Sequence, residues 1–462
     1  MPSGNSLTGF VLARGRGQTG NMSPSHHSAP HHSAPHHTVI SADTHCGADL
    51  LGYRPYLDAK YHAEFDLWAD FMQEDHLRRK ELFKDMERTP MEVGVDGDPD
   101  EFGYRNFSSE QRLREQEEDG VIAAVLFPNT QPPFSPPAAT SFEAPPYSDN
   151  FDHRWAGLRA HNRWLADFVS EAPERRAGII QIFLGDVEGS VKEIEWAAEQ
   201  GLRGGILVPG APPDSPFEPL YSASYEPIWA AAAAAGMPLN HHAGGATPSF
   251  GNHFPASLAM FMLEVQWWTQ RALWHLMFSG VFERYPDMPY VITETGTAWV
   301  PDTLAKLDSF HHRMKHSKYG SESIFGGQAV AQMSLTPSEY FERQCYIGAS
   351  FLRPAEAEIA RGVGIDRVMW GSDYPHIEGS YPHTHEHLRL TFAQMTREET
   401  TTMLTDNAAK IYNFDLEALA PLAEKYCPTK EFVETPIDYS EIPERAKGCP
   451  GMNPLNQVQE VA

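Results

Sequence analysis

Val39-Ile40-Ser41-Ala42-Asp43-Thr44-His45 sets the reading of the whole chain. A short run of β-branched and small residues ends abruptly in an acid and an imidazole. Runs of this kind suit strands buried on both faces. Similar runs return at 121–127, 178–184, 204–208, 238–243, 290–294, 345–349 and 367–371. Helical periodicity lies between them. Residues 152–172 place Trp155, Leu158, Trp164, Leu165 and Phe168 on one stripe. Helices over 187–200 and 225–235 stop at Gly201 and Gly236, a long aromatic-rich helix over 258–285 stops at Pro286, and another is expected over 299–319. Eight strand–helix units predict an α/β fold, the closed (β/α)8 TIM barrel. The rival is an open doubly wound sheet, but no GxGxxG follows the first run, so its dinucleotide-binding form has no support.

The rest of the chain decorates this frame. Residues 1–37 are rich in Ser, Pro and His and repeat HHSAP from His26, which predicts a disordered arm able to trap divalent metal. The barrel is expected over 38–415. It carries a charged insertion at 46–119 and a Pro-rich loop at 128–150, both after strand ends, where barrel pockets are walled. Residues 416–462 read as an extended C-terminal arm, over the surface or onto a neighbouring subunit, with its last dozen residues disordered.

Composition excludes several partners. With 36 basic against 62 acidic residues the net charge is −26, which repels nucleic acid and anionic membranes. No run is long enough to span a bilayer. The four cysteines are scattered without CxxC, so reduced thiols in a cytoplasmic protein are expected.

The strand ends carry the chemistry. Asp43 and His45 end the first run, His241 and His242 the fifth, Glu294 the sixth, and Asp373 and His376 lie just past the eighth. In a barrel these ends share one rim. Asp43 and His45, two apart, face the same side of a strand; adjacent His241 and His242 do not. Carboxylates gathered in one pocket need positive charge between them, which a metal ion supplies.

Several motifs resemble the amidohydrolase-related superfamily, in its aminocarboxymuconate-semialdehyde decarboxylase-like branch. They are the first run, the His242-Ala243-Gly244 string, the segment from Glu294 through Trp299 to Asp308, Trp370-Gly371-Ser372-Asp373-Tyr374-Pro375-His376 and the closing 406–412 segment. The resemblance implies a metal-dependent barrel over about 38–415 that hydrolyses amides and lactones, or decarboxylates and hydrates small acids. It maps His45, His242 and Asp373 onto metal positions. Asp43 and Glu294 stand where the family more often has histidine. No Lys near strand four suggests a bridged dizinc site.

The expected metal ligands are therefore Asp43, His45, His242, Glu294, Asp373 and His376. Asp373 and His376 are also expected to move protons, with His241 behind the ligands orienting one of them. So many carboxylates suit two divalent ions, iron or manganese ahead of zinc. That set is similar to the dinuclear non-haem oxygenases of the superfamily, such as 2-aminoisobutyrate hydroxylase. It leads to the first expectation, O2-dependent hydroxylation of a small organic or amino acid. The alternative is a metal-dependent hydrolase or decarboxylase acting on a small carboxylic acid, amide or lactone. A third reading is a barrel without catalysis, partnering an active paralogue. Trp299 and Tyr374 are expected to wall the pocket, and Arg54 or Arg353 to clamp a substrate carboxylate. A homo-oligomer, or a hetero-oligomer with a paralogous barrel, is expected.

Overall fold

The computed structural model describes residues 34–83, 105–129, 131–135, 151–213, 215–245, 247–248, 250–251, 253 and 255–457. The expected His-rich repeat before residue 34, most of the Pro-rich loop and the middle of the first insertion lie outside the described residues.

Nine short strands run in parallel: β1 Ile40–Cys46, β2 Ala123–Pro128, β3 Arg176–Gly178, β4 Ile180–Gln181, β5 Ile206–Leu207, β6 Leu239–His242, β7 Tyr290–Thr293, β8 Cys345–Ser350 and β9 Val368–Gly371. Every residue in them is buried, as apolar runs covered on both faces should be. β1–β2–β3 form one sheet and β4 to β9 another. Two links make them a single ring. Ile179, between β3 and β4, donates to Leu126 O (3.0 Å), while Ile180 donates to Gly205 O (3.0 Å), so one strand serves both sheets. At the other seam, His45 N donates to Tyr374 O (2.7 Å) and Asp373 N to Asp43 O (2.9 Å). The eight strand positions therefore close as the (β/α)8 barrel.

Two expected boundaries shift for visible reasons. The third strand was expected over 178–184 but ends at Gln181. There the Asn162 side chain accepts from Gln181 N (2.9 Å) and donates to Gln181 O (2.8 Å), taking the bonds a neighbouring strand would use. The long helix expected over 258–285 runs Ala256–Phe278 and breaks at Gly280, which adopts φ 79, before a short turn Val281–Arg284.

Residues 35–37 pack against 428–430. His37 N donates to Pro428 O (3.1 Å) and Lys430 N to Pro35 O (2.8 Å). Beyond residue 415 the chain is not extended. It forms a helix, Leu416–Tyr426, then 3-10 turns that bury Ile442, Ala446, Cys449 and Met452 against Leu390. All four cysteines are buried and free. Among the described residues no helix is long and apolar enough to cross a membrane.

Candidate metal centre

The rim at the strand carboxyl ends collects the expected groups. Asp43, His45, His242 and Glu294 each offer one ligand atom, all within 4.8 Å of one another, and His45, Asp373 and His376 form an adjoining group of the same kind. His45 Nε2 lies 2.9 Å from Asp373 Oδ1 and 3.4 Å from Asp43 Oδ1. His242 Nε2 lies 3.4 Å from Asp43 Oδ1 and 3.2 Å from Glu294 Oε2. His376 Nδ1 lies 3.0 Å from Asp373 Oδ1. Asp43, His45 and Asp373 are fully buried, whereas Glu294 keeps 22% of its side chain accessible.

The backbone is bent to present these groups. β1 shifts register between Ser41 and Thr44, a bulge beside Asp43. Glu294 and Asp373 both adopt φ 59, a left-handed conformation that side chains of this kind seldom take. Two such residues at two strand ends of one pocket mark a functional site, where strain is tolerated because the surroundings enforce it.

Electrostatics give the groups different characters. Burial alone would raise the Asp43 carboxyl, but His242 and His45 override it and hold it far below the usual range. Burial raises Glu294 well above its ordinary value, with the Asp373 and Asp43 charges adding to the effect and His242 opposing it. Burial also opposes charge on His376, yet Asp373, Glu378 and Glu294 raise it to about 10.

The donor set fits a metal ion. Three carboxylates and three imidazoles converge in a largely buried pocket, and such carboxylates need a cation among them. The mixture of oxygen and imidazole donors suits a divalent ion of the manganese, iron or zinc type.

His241 is fully buried behind His242, and burial pushes it down to about 3. Among the described residues no hydrogen bond joins it to the six groups. Arg54 pairs with Asp66 (2.7 Å) and Arg353 with Glu356 (3.0 Å), so both guanidinium groups are already committed and neither is a ready substrate clamp. Tyr374 turns from the pocket to donate to Glu115 Oε2 (2.6 Å) and lies under the Arg112 guanidinium (4.9 Å). Trp299 donates to Gly296 O (3.1 Å). His385 rests on Phe432, and His387 receives a bond from Trp370 Nε1 (3.3 Å).

Other supporting residues escaped the sequence reading. Ser350 Oγ donates to Asp43 Oδ2. Asn129 Oδ1 accepts from His376 Nε2 (3.0 Å), and its amide donates to Asn106 (2.6 Å). Arg112 Nη1, from the helix Ser109–Glu118 late in the first insertion, donates to His45 O (2.6 Å). That part of the insertion is a buttress behind the site. Asn129 stands just past the end of β2 and Ser350 at the end of β8, the one signal that could have flagged them.

Comparison with known proteins agrees with this geometry. The profile of a family described as amidohydrolase matches residues 49–414. A γ-resorcylate decarboxylase from Polaromonas is 25% identical over 276 residues, covering 58% of this chain and 76% of its own. Among solved structures, 5-carboxyvanillate decarboxylase from Novosphingobium aromaticivorans, with bound manganese and a nitrobenzoic acid, superposes with a TM-score of 0.59 at 19% identity, covering 82% of this chain and 97% of its own. A 2,6-dihydroxybenzoate decarboxylase from Rhizobium gives a TM-score of 0.54 at 19% identity, over 71% of this chain and 96% of its own. These relatives overturn the hydroxylase expectation. Carboxylate-rich ligands specify a hard, anionic site and not a redox change, so they do not by themselves call for iron and dioxygen.

Proposed function

Because the chain belongs to the amidohydrolase family, we propose that it is a metal-dependent decarboxylase of a small hydroxylated aromatic acid. The observation that carries this reading is the Asp373 carboxylate, fully buried between His45 and His376. It supports the decarboxylase chemistry named for the relatives, while the other branch of the alternative, amide or lactone hydrolysis, has no named relative behind it.

A bound divalent cation, manganese foremost, would supply a Lewis-acid contact for the acid's oxygens. One ion would sit beside His45, the residue common to both groups, whose Nε2 faces Asp43 and Asp373. Asp43, His45, His242, Glu294 and Asp373 would hold it.

The net reaction replaces a C–COO⁻ bond with a C–H bond and releases CO2, so one proton must reach carbon. Asp373 and His376 share a short contact and are the groups placed to hold and deliver that proton. Asn129 fixes the far nitrogen of His376, which keeps its Nδ1 directed at Asp373. Glu294, partly accessible at the mouth, lies on the side from which a substrate enters.

The test is CO2 release from 2,6-dihydroxybenzoate, γ-resorcylate analogues and 5-carboxyvanillate by manganese-loaded protein under nitrogen. Equal product and CO2, at the same rate with and without oxygen, is the expected result. No CO2 from any of these acids would reject the reading.

A further inference from the structure

The loop after β5 and the helix Ala256–Phe278 line a cavity of about 250 Å³. None of the six metal-site residues borders it, and no carboxylate does. Pro212, Pro213 and Phe217 supply its apolar wall. Arg271 and His275, one turn apart on the helix, supply its polar side. Tyr221, also in the lining, is 56% exposed, so the cavity reaches solvent.

Arg271 is the unusual member. The chain carries 62 acidic against 36 basic residues, so an arginine seldom lacks an acid to meet. Arg163, Arg175, Arg284 and Arg353 each pair with a glutamate. Among the described residues no ion pair or hydrogen bond engages the Arg271 guanidinium. Glu264, the one acid of its helix, is bound to Trp268 Nε1 (3.2 Å). The guanidinium lies instead over rings, 4.4 Å from the Trp268 centroid and 5.5 Å from that of Trp267. Ring contact occupies the face of its plane and leaves the in-plane N–H donors unused.

His275 is held neutral beside it. Burial, with the Arg271 charge adding to the effect, pushes it down to about 4. Its ring meets Tyr221 edge-on, with centroids 5.1 Å apart. At neutral pH the lining therefore offers one positive charge, a neutral imidazole and a phenol, set among proline and aromatic surface.

We propose that this cavity is a second binding site, separate from the metal centre, for a small monocarboxylic acid with a flat apolar body. The Arg271 fork matches a carboxylate in its own plane. Phe217 and the prolines cover the body, as the walls of ligand pockets usually do. A cavity of about 150 Å³ already admits benzene, so this one has room for an acid the size of benzoate. A phosphate would bring more charge than one guanidinium balances, in a chain of net charge −26, and would leave the apolar wall unused.

The test is calorimetric titration of the full, manganese-loaded chain with benzoate. It needs no turnover, so its outcome is independent of the decarboxylase reading. The wild type is expected to bind benzoate, and Arg271→Met to weaken that binding by at least about tenfold while keeping its circular dichroism. Folded Asp373→Asn is expected to keep it, because the metal centre is elsewhere. Inorganic phosphate and neutral benzamide are expected to bind at least about tenfold more weakly than benzoate. No benzoate binding up to about 10 mM overturns the proposal. So does binding that Arg271→Met leaves unchanged, binding lost in Asp373→Asn, or phosphate or benzamide bound as tightly as benzoate. Should Arg271→Met fail to fold, Ala211→Phe decides. It fills the cavity from the loop and leaves every charge in place, and wild-type benzoate affinity there overturns the site.

Discussion

Along the β1–β9 seam, the groups facing the metal centre are each held from behind, whereas the end of β7 leaves its carboxylate open to the mouth. Asp43 accepts from Ser41 Oγ (2.7 Å) and Asp373 N (2.9 Å) through its carbonyl, and from Ser350 through its carboxylate. Behind His45 stands Arg112, itself packed on Tyr374. On the opposite side, His242 Nδ1 meets the neighbouring Ala243 carbonyl (2.9 Å), Thr269 reaches the His242 carbonyl at 3.4 Å, and Glu294 is open to the mouth. Fixed geometry on one side and access on the other is what a site needs when it must both hold a proton donor in place and admit an acid.

The largest expected effect tests that asymmetry directly. Asp373→Asn removes the carboxylate between His45 and His376, and kcat/KM for CO2 release should fall about 10³-fold, within the range of a lost general acid–base group. Glu294→Gln, on the open side, should cost about tenfold. Steady-state rates, with metal content checked by elemental analysis, read both. Equal losses would break the distinction between the two sides.

Arg112→Met probes the buttress itself. The guanidinium is fully buried and donates to the His45 carbonyl. A hydrogen bond to a charged group is worth about 1.5–3 kcal/mol. Urea melts should show that loss, and manganese titration should show weaker binding, because the β1 backbone that carries His45 is no longer fixed.

Much of this arrangement was readable in advance, and the limits are physical. Runs buried on both faces announce themselves by composition, so all eight barrel positions were visible. Asp43, His45, His242, Glu294, Asp373 and His376 were visible because acids and imidazoles are expensive at the ends of such runs unless they have work there. Asn129, Ser350 and Arg112 were not, because their roles depend on which distant atom they meet. The bonds from Asn162 that end the third strand belong to the same class. The redox assignment failed for another reason: ligand hardness limits the metal but leaves the reaction open.

Histidines near the ends of β1 contribute to the response to acid. His37, just before the strand, is pushed down to about 3 by burial, with Lys430 adding to the effect. His161, bonded through Nδ1 to Tyr53 (2.9 Å) just past the strand, is pushed down to about 3 by burial alone. In the unfolded chain both take a proton near the ordinary value of 6.5. The unfolded state therefore binds more protons between about 6.5 and about 3, so stability falls as pH drops through that window, by about 1.4 kcal/mol per pH unit for each histidine. At pH 5 each should cost about 2 kcal/mol. Urea melts across pH should show the slope, and His161→Phe should reduce it by about 1.4 kcal/mol per pH unit. An unchanged slope would mean the seam side is not where acid acts.

The smallest effect sharpens the comparison most. Thr269→Val keeps shape and removes the hydroxyl that reaches the His242 carbonyl. A long neutral bond of this kind contributes ~0.5 kcal/mol, at the bottom of the usual range. The same hydroxyl also donates to Val265 O (3.0 Å) within its own helix, so its loss is shared between a helix bond and a site bond. Stability should therefore change little, and manganese affinity should fall by no more than about twofold. If Thr269→Val weakened metal binding as much as Arg112→Met, the β6 side would be as tightly positioned as the seam, and Glu294 would be a fixed ligand and not the flexible edge of the mouth.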